Sequence, residues 1–221
     1  MSYIAQRRVE EKERRRAEIL DAAEELYAKD GWDLVTVDQV ARGARLSRAL
    51  VYVYFKDKQD ILFAIGERAM GLLRDRFVAA SGTQALGMEK IEAIGRSYMQ
   101  YAFEFPHYFD FCSKFHAHSL APDPGSHDLA CQASGDEAIA VVVNAIECGI
   151  RDGSIRPDIG DPMMLALTLW SFTHGLAQLA MAKGDDMARL GIAIPDLSDY
   201  GFGLLRFMTQ NPKAPADPRP A

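Results

Sequence analysis

TVDQVARGARLSRALVYVYFKDK, residues Thr36 to Lys58, is the stretch whose reading decides the fold. Thr36 is a good helix N-cap, and Gln39 three residues on completes a capping box, in which each side chain satisfies a backbone N–H of the other. Val37, Val40, Ala41 and Ala44 then recur at the spacing of one apolar face of a short helix. Ser47 is a second cap and opens another short helix, Arg48 to Tyr54, in which Val51 and Phe55 lie one turn apart and point inward with Leu46. Arg48, Ala49, Tyr52 and Val53 are left facing out. A third cap, Asp57, opens a further helix with Lys58 in its first turn. Two helices too small to bury much alone, with a polar, tyrosine-bearing face on the second, fit a helix-turn-helix. In that motif the second helix enters the major groove of DNA while the first crosses the backbone. The same spacing also fits a plain helical hairpin with half-buried tyrosines.

The order of the residues separates these readings. Leu-Ser-Arg-Ala-Leu-Val-Tyr-Val-Tyr-Phe-Lys-Asp-Lys, residues 46–58, resembles the recognition-helix signature of the tetracycline-repressor (TetR/AcrR) family of bacterial transcription regulators. The resemblance runs upstream through ILDAAEELY (19–27), Gly31-Trp32 and TVDQVA (36–41), roughly the first quarter of the chain. It implies a helix-turn-helix DNA-binding domain over residues 1–62, opening with a basic arm over 1–16, and a larger helical domain over 63–211. In this family the larger domain binds a small effector between helices and dimerises through its last two long helices. The tail 212–221, PKAPADPRPA, has the composition of a disordered segment.

Outward from the motif, the periodicity stays helical. Ile19, Ala22, Ala23, Leu26 and Tyr27 form a stripe stopped by Gly31, and Trp32 and Leu34 are expected to plug the same core. A helix from Lys58 to about Phe77 carries Ile61, Leu62, Ile65, Ala69, Leu72 and Leu73, and residues 81–84 read as a loop. Further stripes run from Gly87 to Phe105, Ala138 to Ile150, Pro162 to Lys183 and about Leu197 to Thr209. No period-two strand pattern occurs. The expected fold is all-α, about nine helices in two domains.

For the DNA-binding face, Arg48 is the first candidate for a base-edge contact, because arginine paired bidentately to guanine is the commonest specific contact. A phosphate contact is the alternative for it. The resemblance gives Tyr52 and Tyr54 backbone or base contacts, with Ser47, Ala49 and Val53 on the same surface. Lys58 would meet a phosphate at a helix N-terminus, and Thr36 is a further phosphate candidate beside its capping role. The family pattern is broken twice. Arg45 stands at the turn position where glycine is common, implying a different or strained backbone, and Leu50 stands where a threonine often touches phosphate. Arg45 could replace that lost contact.

The distal part resembles the family only in outline, through Trp170, Thr173-His174-Gly175 and Ile155-Arg156-Pro157-Asp158. An aromatic set, Tyr98, Tyr101, Phe105, Phe109, Phe115, Trp170 and His174, with Cys112 and His116, could line an effector pocket of aromatic or acyl preference or simply pack a core. Cys112, His116 and His118 invite a metal reading, but no second ligand pair accompanies them, and no metal or cofactor is expected. The helices 162–183 and 197–209 carry apolar residues around much of their circumference, which suggests a four-helix homodimer interface.

Charge and composition bound the alternatives. The net charge of −6 lies wholly after residue 65: residues 1–65 hold twelve basic against twelve acidic side chains, the rest thirteen against nineteen. Such an acidic total disfavours a general DNA-packing protein. No apolar run reads as a membrane span, the N-terminus lacks the apolar core of a signal peptide, and three cysteines without zinc spacing fit a reducing cytoplasm. No phosphate-binding glycine loop, nucleophile elbow or metal-ligand helix motif points to an enzyme. The expected function is a homodimeric repressor on a palindromic operator of double-stranded DNA, released by a small effector. The alternative is a DNA-binding regulator governed by a protein partner, a metal or a redox change.

Overall fold

A computed structural model of the 221-residue chain describes residues 3–114 and 127–212, except the side chain of residue 4. The described residues form helices α1 (Tyr3–Asp30), α2 (Val37–Gly43), α3 (Arg48–Tyr54), α4 (Lys58–Gly82), α5 (Gly87–Glu104), α6 (Pro106–Lys114), α7 (His127–Asp152), α8 (Pro162–Arg189) and α9 (Ile194–Thr209). A single 3-10 turn, Trp32–Leu34, stands between α1 and α2. The all-α expectation is met, and the only strand-like pairing among the described residues is an isolated bridge, Ile155 to Gln210. Two compact units result, each discontinuous in sequence: 1–70 with 105–134, and 71–104 with 135–221.

The core of the first unit joins α1 to the short helices. Ile19, Ala23, Val40, Val51, Phe55, Ile61 and Ile65 are almost fully buried. Gly43 at the end of α2 lies so near α1 that a Cβ there would sit 3.1 Å from that of Ala22. Helix α6 packs in the same unit: the hydroxyl of Tyr27 on α1 donates to Asp110 at 2.9 Å, and a Cβ on Gly66 would collide with the Phe111 ring at 2.2 Å. Only glycine on α4 admits that ring.

The second unit is held by an equally close approach. A Cβ on Gly87 would fall 2.0 Å from the backbone nitrogen of Gly149, so the start of α5 lies directly against α7. The N–H groups of that helix end, which have no partner within the helix, are satisfied from outside it: Gly87 N donates to Asp152 at 2.8 Å and Met88 N to Ser154 Oγ at 3.0 Å. Tyr101, Ile146, Ile155, Ala166, Ala177 and Phe202 make the core. Helix α8 starts on Asp161, whose carboxylate accepts from Met163 N and Met164 N, with Pro162 in the first turn.

Several expected boundaries move. Helix α1 reaches back to Tyr3 through the segment read as an arm; nothing there breaks a helix, and Arg14 and Arg15 pair with Glu11 and Glu18 one turn away. Helix α4 runs on to Gly82, and α7 begins at His127 rather than Ala138. Helix α8 does not stop at Lys183 but kinks there (φ −131°, ψ 20°) and continues to Arg189. Leu34 is 70% exposed, and Val35 takes the core place foreseen for it. By length and composition α7 could cross a membrane, yet Cys131, Ala138, Val142, Ala145 and Ile146 on it are buried core residues.

Candidate nucleic-acid interface

The stretch 36–58 folds as its caps dictate. Thr36 Oγ1 accepts from Gln39 N at 3.3 Å while Thr36 N donates to Gln39 Oε1 at 2.8 Å, a complete capping box. At the other end of α2, Arg45 N bonds Arg42 O and Leu46 N bonds Ala41 O, the paired bonds of a Schellman motif. That motif needs a left-handed residue. Arg45 supplies it at φ 57°, the only non-glycine residue with positive φ among those described. The turn geometry usual for glycine is therefore kept, with arginine bearing the strain. Ser47 Oγ accepts from Leu50 N at 3.2 Å to start α3, and Asp57 Oδ1 accepts from Asp60 N at 2.8 Å to start α4.

Burial then sorts the α3 side chains. Val51 and Phe55 are buried to 0% and 1% exposure, which fixes the helix's orientation on the core. Arg48, Ala49, Tyr52 and Val53 face water, as does Ser47, and Tyr54 is half-buried. Val53 is 71% exposed, an apolar side chain that the fold leaves uncovered. Thr36 and Arg45 are exposed beside this face.

Two charged groups have partners that the sequence did not disclose. Arg48 Nη1 meets Asp38 Oδ2 at 3.1 Å, and its Nη2 donates to the Tyr52 hydroxyl at 3.3 Å. The Tyr52 hydroxyl and the Asp38 carboxylate both push the Arg48 guanidinium further toward its charged form. Lys58 is turned inward: its Nζ donates to the carbonyls of Trp32 (2.8 Å) and Asp33 (3.3 Å) and lies 5.2 Å from the Trp32 ring centroid. A contact 26 residues back along the chain has no local signature, and neither has the Asp38 pairing, ten residues from Arg48.

The distal candidates divide between the units. Phe105, Phe109 and Cys112 belong to the first, where Phe109 and Cys112 are buried and Phe105 stacks on Tyr108 at 5.6 Å. Tyr98, Tyr101, Trp170 and His174 belong to the second. There the Tyr98 hydroxyl lies 2.7 Å from His174 Nδ1 and 3.4 Å from Trp170 Nε1, and Tyr98 stacks on Tyr101. Burial lowers the pKa of His174, so its imidazole is held neutral near pH 7. Trp170 is 44% exposed. Phe115 and His116, with His118, lie outside the described residues. No group of three His, Cys, Asp or Glu among the described residues could hold a metal ion.

Two family models match the chain: "Bacterial regulatory proteins, tetR family" over residues 19–65, and "Tetracyclin repressor-like, C-terminal domain" over 91–190. Together they take in about two thirds of it, and the first contains the whole helix-turn-helix. The chain belongs to the tetracycline-repressor family. Among its curated relatives, the HTH-type transcriptional regulator HbdR of Aromatoleum sp. (strain CIB) is 47% identical over 51 residues, which are 23% of this chain and 22% of HbdR. The fatty acid metabolism regulator protein of Bacillus subtilis (strain 168) is 31% identical over 77 residues, 35% of this chain and 40% of the relative. The matched stretches thus span well under half of those relatives. A crystal structure of the transcriptional regulator FadR from Bacillus subtilis, in complex with stearoyl-CoA, superposes with a TM-score of 0.67 at 18% identity, covering 86% of this chain and 96% of FadR. That likeness is one of fold, and it runs through the distal helices.

Proposed function

We propose that this tetracycline-repressor-like chain is a homodimeric transcription repressor that binds a palindromic operator through α3 and is released by a small effector held in the distal unit. The observation that carries the reading is the α3 face. Arg48, Tyr52 and Val53 stand exposed on a helix whose opposite side, Val51 with Phe55 beyond it, is locked into the core. An arginine and a tyrosine on the exposed face of a helix anchored by its buried side suit base-edge and phosphate contacts. Thr36, Arg45, Ser47, Ala49 and Tyr54 border that face. Lys58 reaches DNA in this account only by giving up its bonds to the Trp32 and Asp33 carbonyls.

Dimerisation is supported by the surface of α8 and α9. Met164, Leu167 and Leu179 on α8 are 64%, 40% and 48% exposed, and Tyr200, Leu204, Phe207 and Met208 on α9 are 68%, 42%, 84% and 52% exposed. The four on α9 recur at one-turn spacing, a continuous apolar strip that a soluble monomer would rarely leave bare. A two-fold pair would place two copies of α3 on successive half-sites.

For the effector, the Tyr98–His174–Trp170 cluster, whose polar atoms bond one another, sets a polar network beside the aromatic faces of Phe77 and Tyr101. A polar anchor beside an apolar wall suits a ligand with an acyl or aromatic body. A relative that regulates fatty acid metabolism and a fold neighbour bound to stearoyl-CoA favour the acyl choice. Effector binding would shift the dimer to a state whose α3 helices no longer match the half-site spacing, and operator DNA would weaken effector binding by the same factor.

The test is binding to DNA from around the chain's own promoter across a salt series, with Arg48→Ala and Tyr52→Ala beside the wild type. Affinity should fall steeply with salt, as phosphate contacts require, and both variants should lose operator preference. Wild type that binds this DNA no better than random duplex would refute the reading.

A further inference from the structure

We infer that Asp38 is a specificity-determining residue: it holds the Arg48 guanidinium in a fixed pose for reading one guanine per half-site, without touching DNA itself. The inference rests on the reading of α3 as the recognition helix.

Its basis is a three-part arrangement on the exposed face of the helix-turn-helix. Asp38 sits in the first turn of α2, and its two carboxylate oxygens lie 3.1 and 3.4 Å from Arg48 Nη1. Tyr52, one turn along α3, takes a hydrogen bond from Nη2 at 3.3 Å and carries the guanidinium carbon 5.6 Å from its ring centroid. The guanidinium is thus held from α2 on one side and from α3 on the other. Arginine has five N–H donors in a rigid plane, so the two partners leave donors free on the same plane. A guanine needs two of them, toward O6 and N7.

The pair has little to do with stability. Both side chains are about half exposed (57% and 50%), and ion pairs this open contribute little to folding. A carboxylate on a surface that approaches a polyanion also weakens attraction to phosphates. A group that opposes general DNA affinity and adds little to the fold is well explained by what it does to its partner's geometry. An arginine with free rotamers can reach phosphates or several bases, whereas an arginine held in one pose discriminates. Base specificity and general affinity are separable for that reason.

The experiment selects a duplex from a random-sequence pool with the wild-type protein. Affinities of wild type, Asp38→Ala, Arg48→Ala and the double variant are then measured for that duplex, for versions changed at each half-site position, and for random duplex, all at one salt concentration. Asp38→Ala should bind random duplex as well as wild type or better. Its discrimination at one guanine position should drop about tenfold, the size expected for losing a well-placed bidentate contact. The double variant should discriminate no worse there than Arg48→Ala, since the two residues act as one unit. Circular dichroism melting of each variant would separate these effects from a loss of fold. Equal losses on selected and random duplex, additive losses in the double variant, or unchanged discrimination in Asp38→Ala would each overturn the inference. A wild type that enriches no sequence removes the recognition-helix reading itself, a result distinct from all of these.

Discussion

The exposed face of α3 and the exposed strip of α9 are both left uncovered by the fold, but they differ in chemistry. On α3 the outward residues are Arg48, Tyr52 and Val53, and the guanidinium is already engaged by Asp38 and Tyr52. On α9 they are Tyr200, Leu204, Phe207 and Met208. The first is a polar surface organised in advance, suited to a charged partner in water. The second is apolar and continuous, and water is a poor partner for it. The contrast matches the roles proposed for the two surfaces: α3 open to a DNA partner that comes and goes, α9 the seam of a dimer.

The largest effect that would break this contrast is on the core that orients α3. Phe55→Ala should destabilise the first unit by about 3–5 kcal/mol, the usual cost of emptying a buried aromatic site. Denaturant unfolding would record it, and DNA binding should disappear with the fold. Next, Phe207→Glu should convert the proposed dimer to monomer in light scattering, raising its dissociation constant by about thirtyfold or more, as for an interface hot spot. Its circular dichroism should stay native, because the side chain is 84% exposed. An unchanged dimer would erase the distinction drawn for α9.

Smaller effects sharpen the account of the turn. Thr36→Ala removes the reciprocal cap and should cost about 1 kcal/mol of stability. Arg45→Gly should change it in the opposite direction, by up to about 1 kcal/mol, because arginine is held at φ 57° where glycine has no side-chain penalty. A chain less stable with glycine would mean that the Arg45 side chain gives back more than its strain.

Burial lowers the pKa of His107 in the first unit and of His174 in the second. Each folded unit therefore binds its proton less readily than the unfolded chain. Stability from the neutral form is full above the ordinary histidine value of about 6.5 and is lost as pH falls from there toward the lowered folded values. Melting temperature should decline between neutral and mildly acidic pH, with His107→Gln and His174→Gln each removing part of the slope.

The two regions were not equally legible in the sequence. The caps at Thr36, Ser47 and Asp57 are local chemistry, each with its partner within three residues, so the helix-turn-helix could be read residue by residue. The burial of Val51 and Phe55 followed from spacing alone. Tertiary partners were not legible: Lys58 looked like a free cation at a helix start, and its carbonyl acceptors lie 25 and 26 residues away. The continuation of α8 past Lys183 was hidden because the apolar period breaks at the kink. The division of the aromatic set between units was hidden for a related reason. Composition groups Phe105, Phe109 and Cys112 with Tyr98, Trp170 and His174, but packing assigns them to different units.

The most direct test of the central claim is to footprint the wild-type protein on its selected DNA and count protomers in the complex by mass. The account predicts two protomers over a two-fold symmetric sequence, with half-sites one or more helical turns apart. A single protomer on an asymmetric site, or protection no different from that of random duplex, would contradict it.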